Sequence, residues 1–119
     1  MDRSIVYTNT IYDWTWQFYR FEVNSTVGEL VLDVNRIGNT GAPEFYLRYD
    51  LLPTIDLYTR MQYYYNGNSL VVRNPLIGNW ILGVYARKID NHTSTSYSVS
   101  ANGNKSIYYF LLIFFIIFF

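Results

Sequence analysis

The segment Asn74-Pro75-Leu76-Ile77-Gly78-Asn79-Trp80-Ile81-Leu82-Gly83 constrains the fold more tightly than any other, because it writes a tight reversal directly into a strand. Pro75 presets φ at the first corner of a turn, the Asn74 side chain can bond to its own backbone, and Gly78 can take the left-handed conformation that closes the loop. A strand then begins at Asn79. Beyond it Trp80, Leu82, Val84 and Ala86 point one way and Ile81, Gly83, Tyr85 and Arg87 the other, the period-2 pattern of a sheet backed by a core. No catalytic group lies in this pattern.

The same period recurs along the chain. Trp14 to Val23 reads as a long strand with one wet face, Tyr19, Phe21 and Val23 alternating with Arg20 and Glu22. Leu30, Leu32 and Val34 alternate with Val31, Asp33 and Asn35 up to the loop Gly38-Asn39-Thr40-Gly41-Ala42-Pro43. Phe45, Leu47 and Tyr49 oppose Tyr46 and Arg48 before Leu52-Pro53-Thr54 breaks the run. Leu57 to Tyr65 lacks clean alternation and predicts an irregular connection with one short strand, ending at the turn Asn66-Gly67-Asn68. Ser69 to Arg73 and Thr95 to Ala101 complete the series, the latter with Tyr97, Val99 and Ala101 inward and its serines outward. Turn signals at this spacing predict an all-β, antiparallel β-sandwich of about seven to eight strands.

Composition narrows what such a sandwich can do. At 119 residues the chain fits one domain with a two-layer core, and 20% aromatic residues suit a pleated, half-buried surface. Lys+Arg 9 against Asp+Glu 9 leaves no basic field to gather phosphates, so nucleic acid is not expected as a partner. The absence of cysteine removes a disulfide framework, a thiolate zinc site and a cysteine nucleophile together. His92, the one histidine, falls in the loop Asp90-Asn91-His92-Thr93-Ser94 without a partner to orient it as a base. Asp13, Glu22, Asp33, Glu44, Asp50, Asp56 and Asp90 are dispersed and form no EF-hand loop. No catalytic residue and no cofactor are expected, and the chain is read as not an enzyme.

Two kinds of surface feature remain. Asn24, Asn91 and Asn104 each open an Asn-X-Ser/Thr sequon, the glycosylation sites expected of an exported chain. Trp14, Tyr58, Tyr63, Tyr64 and Tyr65 fall outside clean inward positions and offer rings that could stack on sugars, as an alternative to filling the edges of the sandwich.

The ends differ in character. Residues 1–13 read as an N-terminal extension or first edge strand, and Met1-Asp2-Arg3-Ser4 opens without the apolar stretch of an export signal. Ile107 to Phe119 is uninterrupted Ile, Tyr, Phe and Leu, with Tyr108 and Tyr109 at its polar-side boundary as in a membrane aromatic belt. As a helix it would reach roughly 20 Å, short of the ~30 Å hydrocarbon core. A shortened membrane helix, a lipid-anchor signal and a low-complexity extension are the three accounts of this tail, and residues 104–119 are read as a helical, membrane-associated segment beyond a module at 14–103.

The ordered series Trp16 to Val23, Leu30 to Val34, Pro43 to Arg48, Pro53-Thr54, Asn74-Pro75 with Gly78-Asn79-Trp80, Gly83-Val84-Tyr85 and Tyr97 to Val99 resembles the pre-peptidase C-terminal domain over about residues 14–101. The resemblance implies a jelly-roll-like sandwich that is itself non-catalytic, accompanies other domains of secreted or surface proteins, and in some members binds polysaccharide or protein. Some members of that family bind calcium, so the resemblance is compatible with a calcium site assembled from separate loops. The expectation is a non-catalytic extracellular module tethered to a membrane by Ile107 to Phe119 and mediating adhesion, docking or domain spacing. The alternative is a carbohydrate-binding module using the tyrosine-rich surface.

Overall fold

The computed structural model describes residues 6–23, 28–63, 69–87, 94–102 and 107–118. Among them are nine strands and no helix: β1 (Val6–Tyr12), β2 (Thr15–Val23), β3 (Glu29–Ile37), β4 (Ala42–Tyr49), β5 (Arg60–Tyr63), β6 (Ser69–Arg73), β7 (Gly78–Arg87), β8 (Ser94–Asn102) and β9 (Ile107–Phe118). They make an antiparallel β-sandwich. One sheet runs β1-β8-β3-β6; the other runs β5-β4-β7-β2 and is extended beyond β2 by β9. Except between β4 and β5, each strand is followed in sequence by one in the opposite sheet.

Alternation decides what fills the space between the sheets. Trp80, Leu82, Val84 and Ala86 of β7 are buried with Tyr19, Phe21 and Val23 of β2, against Leu30, Leu32 and Val34 of β3 and Tyr97 and Val99 of β8. Each Val, Leu or Phe side chain so removed from water stabilises the fold by about 1.5–3 kcal/mol before conformational entropy is set against it. The middle of this core is aromatic and polar at once. Tyr19 and Tyr97 meet edge-on with centroids 6.2 Å apart, and their hydroxyls share a 2.6 Å hydrogen bond across the two sheets. Beside them Asn9 Nδ2 donates to Gln17 Oε1 at 3.0 Å.

The turn before β7 forms as its residues require. Asn74 and Gly78 both have positive φ, 49° and 132°, and a Cβ on Gly78 would lie 2.7 Å from the Tyr49 hydroxyl. That hydroxyl donates to Ile77 O, so the glycine admits a ring that fastens the turn to β4. The short strand expected within Leu57 to Tyr65 is β5, while the turn at Asn66-Gly67-Asn68 lies outside the described residues.

Several expectations need correction. Ile107–Phe118 is extended and pairs antiparallel with β2 instead of forming a helix. A run of apolar residues without period is compatible with either state, and the free edge of β2 offers backbone partners that an isolated helix of this length does not need but a strand does. The sandwich itself has eight strands, β1 to β8, as expected, and β9 is added to them at the edge of the second sheet. Trp14 stands in the turn before β2 with φ of 64°, not in the strand. The outer face of β2 is not uniformly wet either, since Trp16 and Phe18 on that face are 3% and 2% exposed. No helix among the described residues is long and apolar enough to cross a membrane.

Candidate functional site

The covered outer face of the second sheet is where the described residues build a site. Register puts Trp16 opposite Tyr85 and Phe18 opposite Gly83 on β2 and β7, with Tyr46 of β4 on the other side of Gly83. Trp16 and Phe18 stack with centroids 5.6 Å apart and planes 2° from parallel, and Trp16 also packs on Tyr46 at 5.5 Å and Tyr85 at 4.8 Å. Ile81 and the half-buried Met61 complete this second apolar cluster. Such ring pairs add to the burial of their area through the fit of face and edge charge.

Gly83 makes the arrangement possible. A Cβ there would come within 2.9 Å of both the Phe18 and Trp16 rings and 3.0 Å of Pro53. Pro53 belongs to the connection between β4 and β5, which folds back over the sheet; Thr54 N–H donates to Leu57 O and Thr59 N–H to Leu47 O, closing it as a compact strap. Between strap and sheet lies a cavity of about 400 Å³ lined by Trp16, Phe18, Leu52, Pro53, Thr54, Ile55 and Tyr85. Its walls are almost entirely apolar. The Thr54 hydroxyl oxygen already accepts from Asp56 N–H and Leu57 N–H.

A polar group borders the aromatic face. Glu44, 3% exposed, accepts from the Tyr46 hydroxyl at 2.5 Å and from Arg87 through Nε at 2.5 Å and Nη2 at 3.2 Å. Burial, reinforced by the hydrogen bond to Glu44, pushes the Tyr46 hydroxyl well above the ordinary tyrosine range. The same carboxylate, through its hydrogen bonds, holds the Arg87 guanidinium more firmly protonated than usual. Arg87 also lies 5.6 Å from the Tyr85 ring centroid, and burial raises the Tyr85 hydroxyl. These groups are engaged with one another, so the cleft is equipped to bury an apolar group.

Three of the aromatic residues singled out by sequence flank this face. Trp14, 43% exposed, packs against Tyr85 at 6.4 Å; Tyr58, 44% exposed, meets Tyr46 edge-on at 5.4 Å. Tyr63 is opposite Glu44 in the β4–β5 register and is half-buried. Tyr64 and Tyr65 lie outside the described residues, as do His92 and the sequons' Asn24, Asn91 and Asn104. Trp16, Phe18 and Tyr85, which form the floor of the cleft, are not among the residues that sequence marks as ligand-facing. The available signal was aromatic residues at both parities of one strand, Trp16 and Phe18 on one side of β2 with Tyr19 and Phe21 on the other. Among the described residues no group of three or more His, Asp and Glu side chains gathers as a metal site.

No protein-family model matches the chain, and no curated protein matches it either.

Proposed function

We propose that the chain is a non-catalytic docking module of the jelly-roll kind, placed at the outer surface of a membrane, which receives an apolar group of a partner molecule in the Trp16–Phe18–Tyr85 cleft. The carrying observation is the cleft: about 400 Å³, lined by aliphatic and aromatic residues, and floored at Gly83 by rings that leave no room for a Cβ. That volume suits a small ligand or one large anchoring side chain. The orders β1-β8-β3-β6 and β2-β7-β4-β5, with the chain alternating between sheets, support the jelly-roll assignment and with it the likeness to the pre-peptidase C-terminal domain. Membrane placement rests on the apolar composition of Ile107 to Phe119, and the outer side on the three sequons.

Titrating the full chain with short peptides that carry one large apolar side chain tests the cleft through tryptophan fluorescence. A saturable change is expected that Ile55→Asp, on the exposed strap, abolishes without altering the folded state. Binding that is indifferent to Ile55→Asp would place the docking surface elsewhere.

A second reading is favoured by Trp14 and Tyr58, whose exposed rings stand at the flanks of the aromatic face. Rings so placed could stack on a polysaccharide. Glycan-array binding lost in Trp14→Ala and Tyr58→Ala supports this reading; its absence in the unaltered chain, or its survival in both of those variants and in Tyr63→Ala and Tyr65→Ala, excludes it.

A further inference from the structure

Large aliphatic side chains are exposed on two connections: Leu51, Leu52, Ile55 and Leu57 between β4 and β5, and Leu76 and Ile77 between β6 and β7. Asp50 N–H donates to Asn79 O and the Tyr49 hydroxyl to Ile77 O, each at 2.7 Å, which fastens both connections to one end of the sandwich. Leu51, Leu57, Leu76 and Ile77 are between 54% and 61% exposed, and they are gathered at one end instead of scattered singly over the surface.

Four of the carbonyls behind them are already satisfied. Leu52 O accepts from Arg48 Nη1, Leu57 O from Thr54 N–H, Leu76 O from Trp80 Nε1 at 3.0 Å and Ile77 O from the Tyr49 hydroxyl. Two of these donors, Trp80 Nε1 and the Tyr49 hydroxyl, are side-chain groups of residues packed edge-on at 5.2 Å beneath the turn. A loop whose carbonyls are occupied from within can leave water without the cost of stripping them. Among the described residues charge at this end is even: Arg20, Arg48, Arg60 and Arg73 stand against Glu22, Glu29, Asp50 and Asp56, and Arg73 pairs with Glu29 at 3.7 Å. Protein interfaces draw their energy from buried tryptophan, tyrosine and arginine more than from leucine. Aliphatic tips over a closed backbone, with no net field, match a lipid surface better.

We propose that this end of the sandwich inserts Leu51, Leu57, Leu76 and Ile77 into the boundary between headgroups and acyl chains of a bilayer, with zwitterionic lipid sufficing. This contact is separate from the Ile107–Phe119 segment and from the cleft.

The chain contains no cysteine, so Ile77→Cys carries an environment-sensitive fluorophore at one position, and Ile37→Cys carries it at the opposite end of β3, where Ile37 is 44% exposed. With phosphatidylcholine vesicles, emission at position 77 is expected to shift to the blue and at 37 to stay unchanged, with little dependence on salt. In the unlabelled full chain, Leu57→Ser with Leu76→Ser is expected to lower vesicle partitioning at least about tenfold. A probe at 77 that stays water-like while the chain sediments with vesicles would assign binding to the Ile107–Phe119 segment and overturn the proposal. So would a blue shift without vesicles that grows with protein concentration, which would show a second copy covering this end, and so would no partitioning at all.

Discussion

Gly83 and Glu44 show how single residues set the outer face. A methyl group at position 83 meets two rings and a proline at 2.9–3.0 Å, none of them the free end of a flexible side chain. Gly83→Ala is therefore expected to destabilise the fold by about 1–3 kcal/mol in denaturant unfolding and to weaken binding in the cleft at the same time. Glu44→Gln keeps the shape and removes the charge, leaving Arg87 without its counter-ion and Tyr46 with a poorer acceptor. Loss of one partner from a buried ion pair is severe, but the Arg87 side chain is 40% exposed, so water screens part of the cost. A destabilisation of about 1–3 kcal/mol is expected from thermal or denaturant unfolding, with Glu44→Ala no milder.

Between elements, the Tyr19–Tyr97 hydrogen bond is one polar link across the core, beside that of Asn9 and Gln17. Tyr19→Phe or Tyr97→Phe alone leaves the other hydroxyl buried with its best partner gone, whereas the double variant removes both groups. The two costs should not add: a double-mutant cycle by denaturant unfolding is expected to return a coupling of about 1 kcal/mol or more, and additive effects would count against the link. Sequence was most informative where one face is buried and one is wet. The inward sets of β3, β7 and β8 follow from alternation alone. It was least informative where both faces are apolar, because period 2 then carries no contrast. Trp16 and Phe18 fall in this class, since the strap that covers them is brought there by Pro53 meeting Gly83, a contact invisible to local pattern. Ile107–Phe118 falls in it too, and its extended form follows from the edge that β2 leaves open. β1 carries mostly exposed side chains and is marked as a strand by its pairing with β8 more than by its own sequence.

At the scale of the whole molecule, four tyrosines give stability a common dependence on alkaline pH. Burial raises the hydroxyls of Tyr19, Tyr46, Tyr85 and Tyr97 above 10.0, so the folded state holds protons that the unfolded chain begins to release near that pH. Their contribution is fully present below pH 10 and is lost as pH rises through and beyond it. The midpoint for denaturant unfolding is thus expected to fall steeply above about pH 10, with tyrosinate absorbance rising together with unfolding. A midpoint flat across that window would contradict the burial of these hydroxyls.

The order β1-β8-β3-β6 also governs how the chain can be made. The Thr10 side chain is bonded to that of Ser96, 86 positions along, and among the described residues β1 has no neighbour in its sheet other than β8. A chain ending before Ser94 is therefore expected to lack cooperative unfolding and dispersed amide resonances. On the ribosome the early strands, apolar on at least one side, emerge long before the strand that locks them together. Holdase chaperones acting in that interval are expected to raise the yield of native protein more than any stabilisation of its finished core.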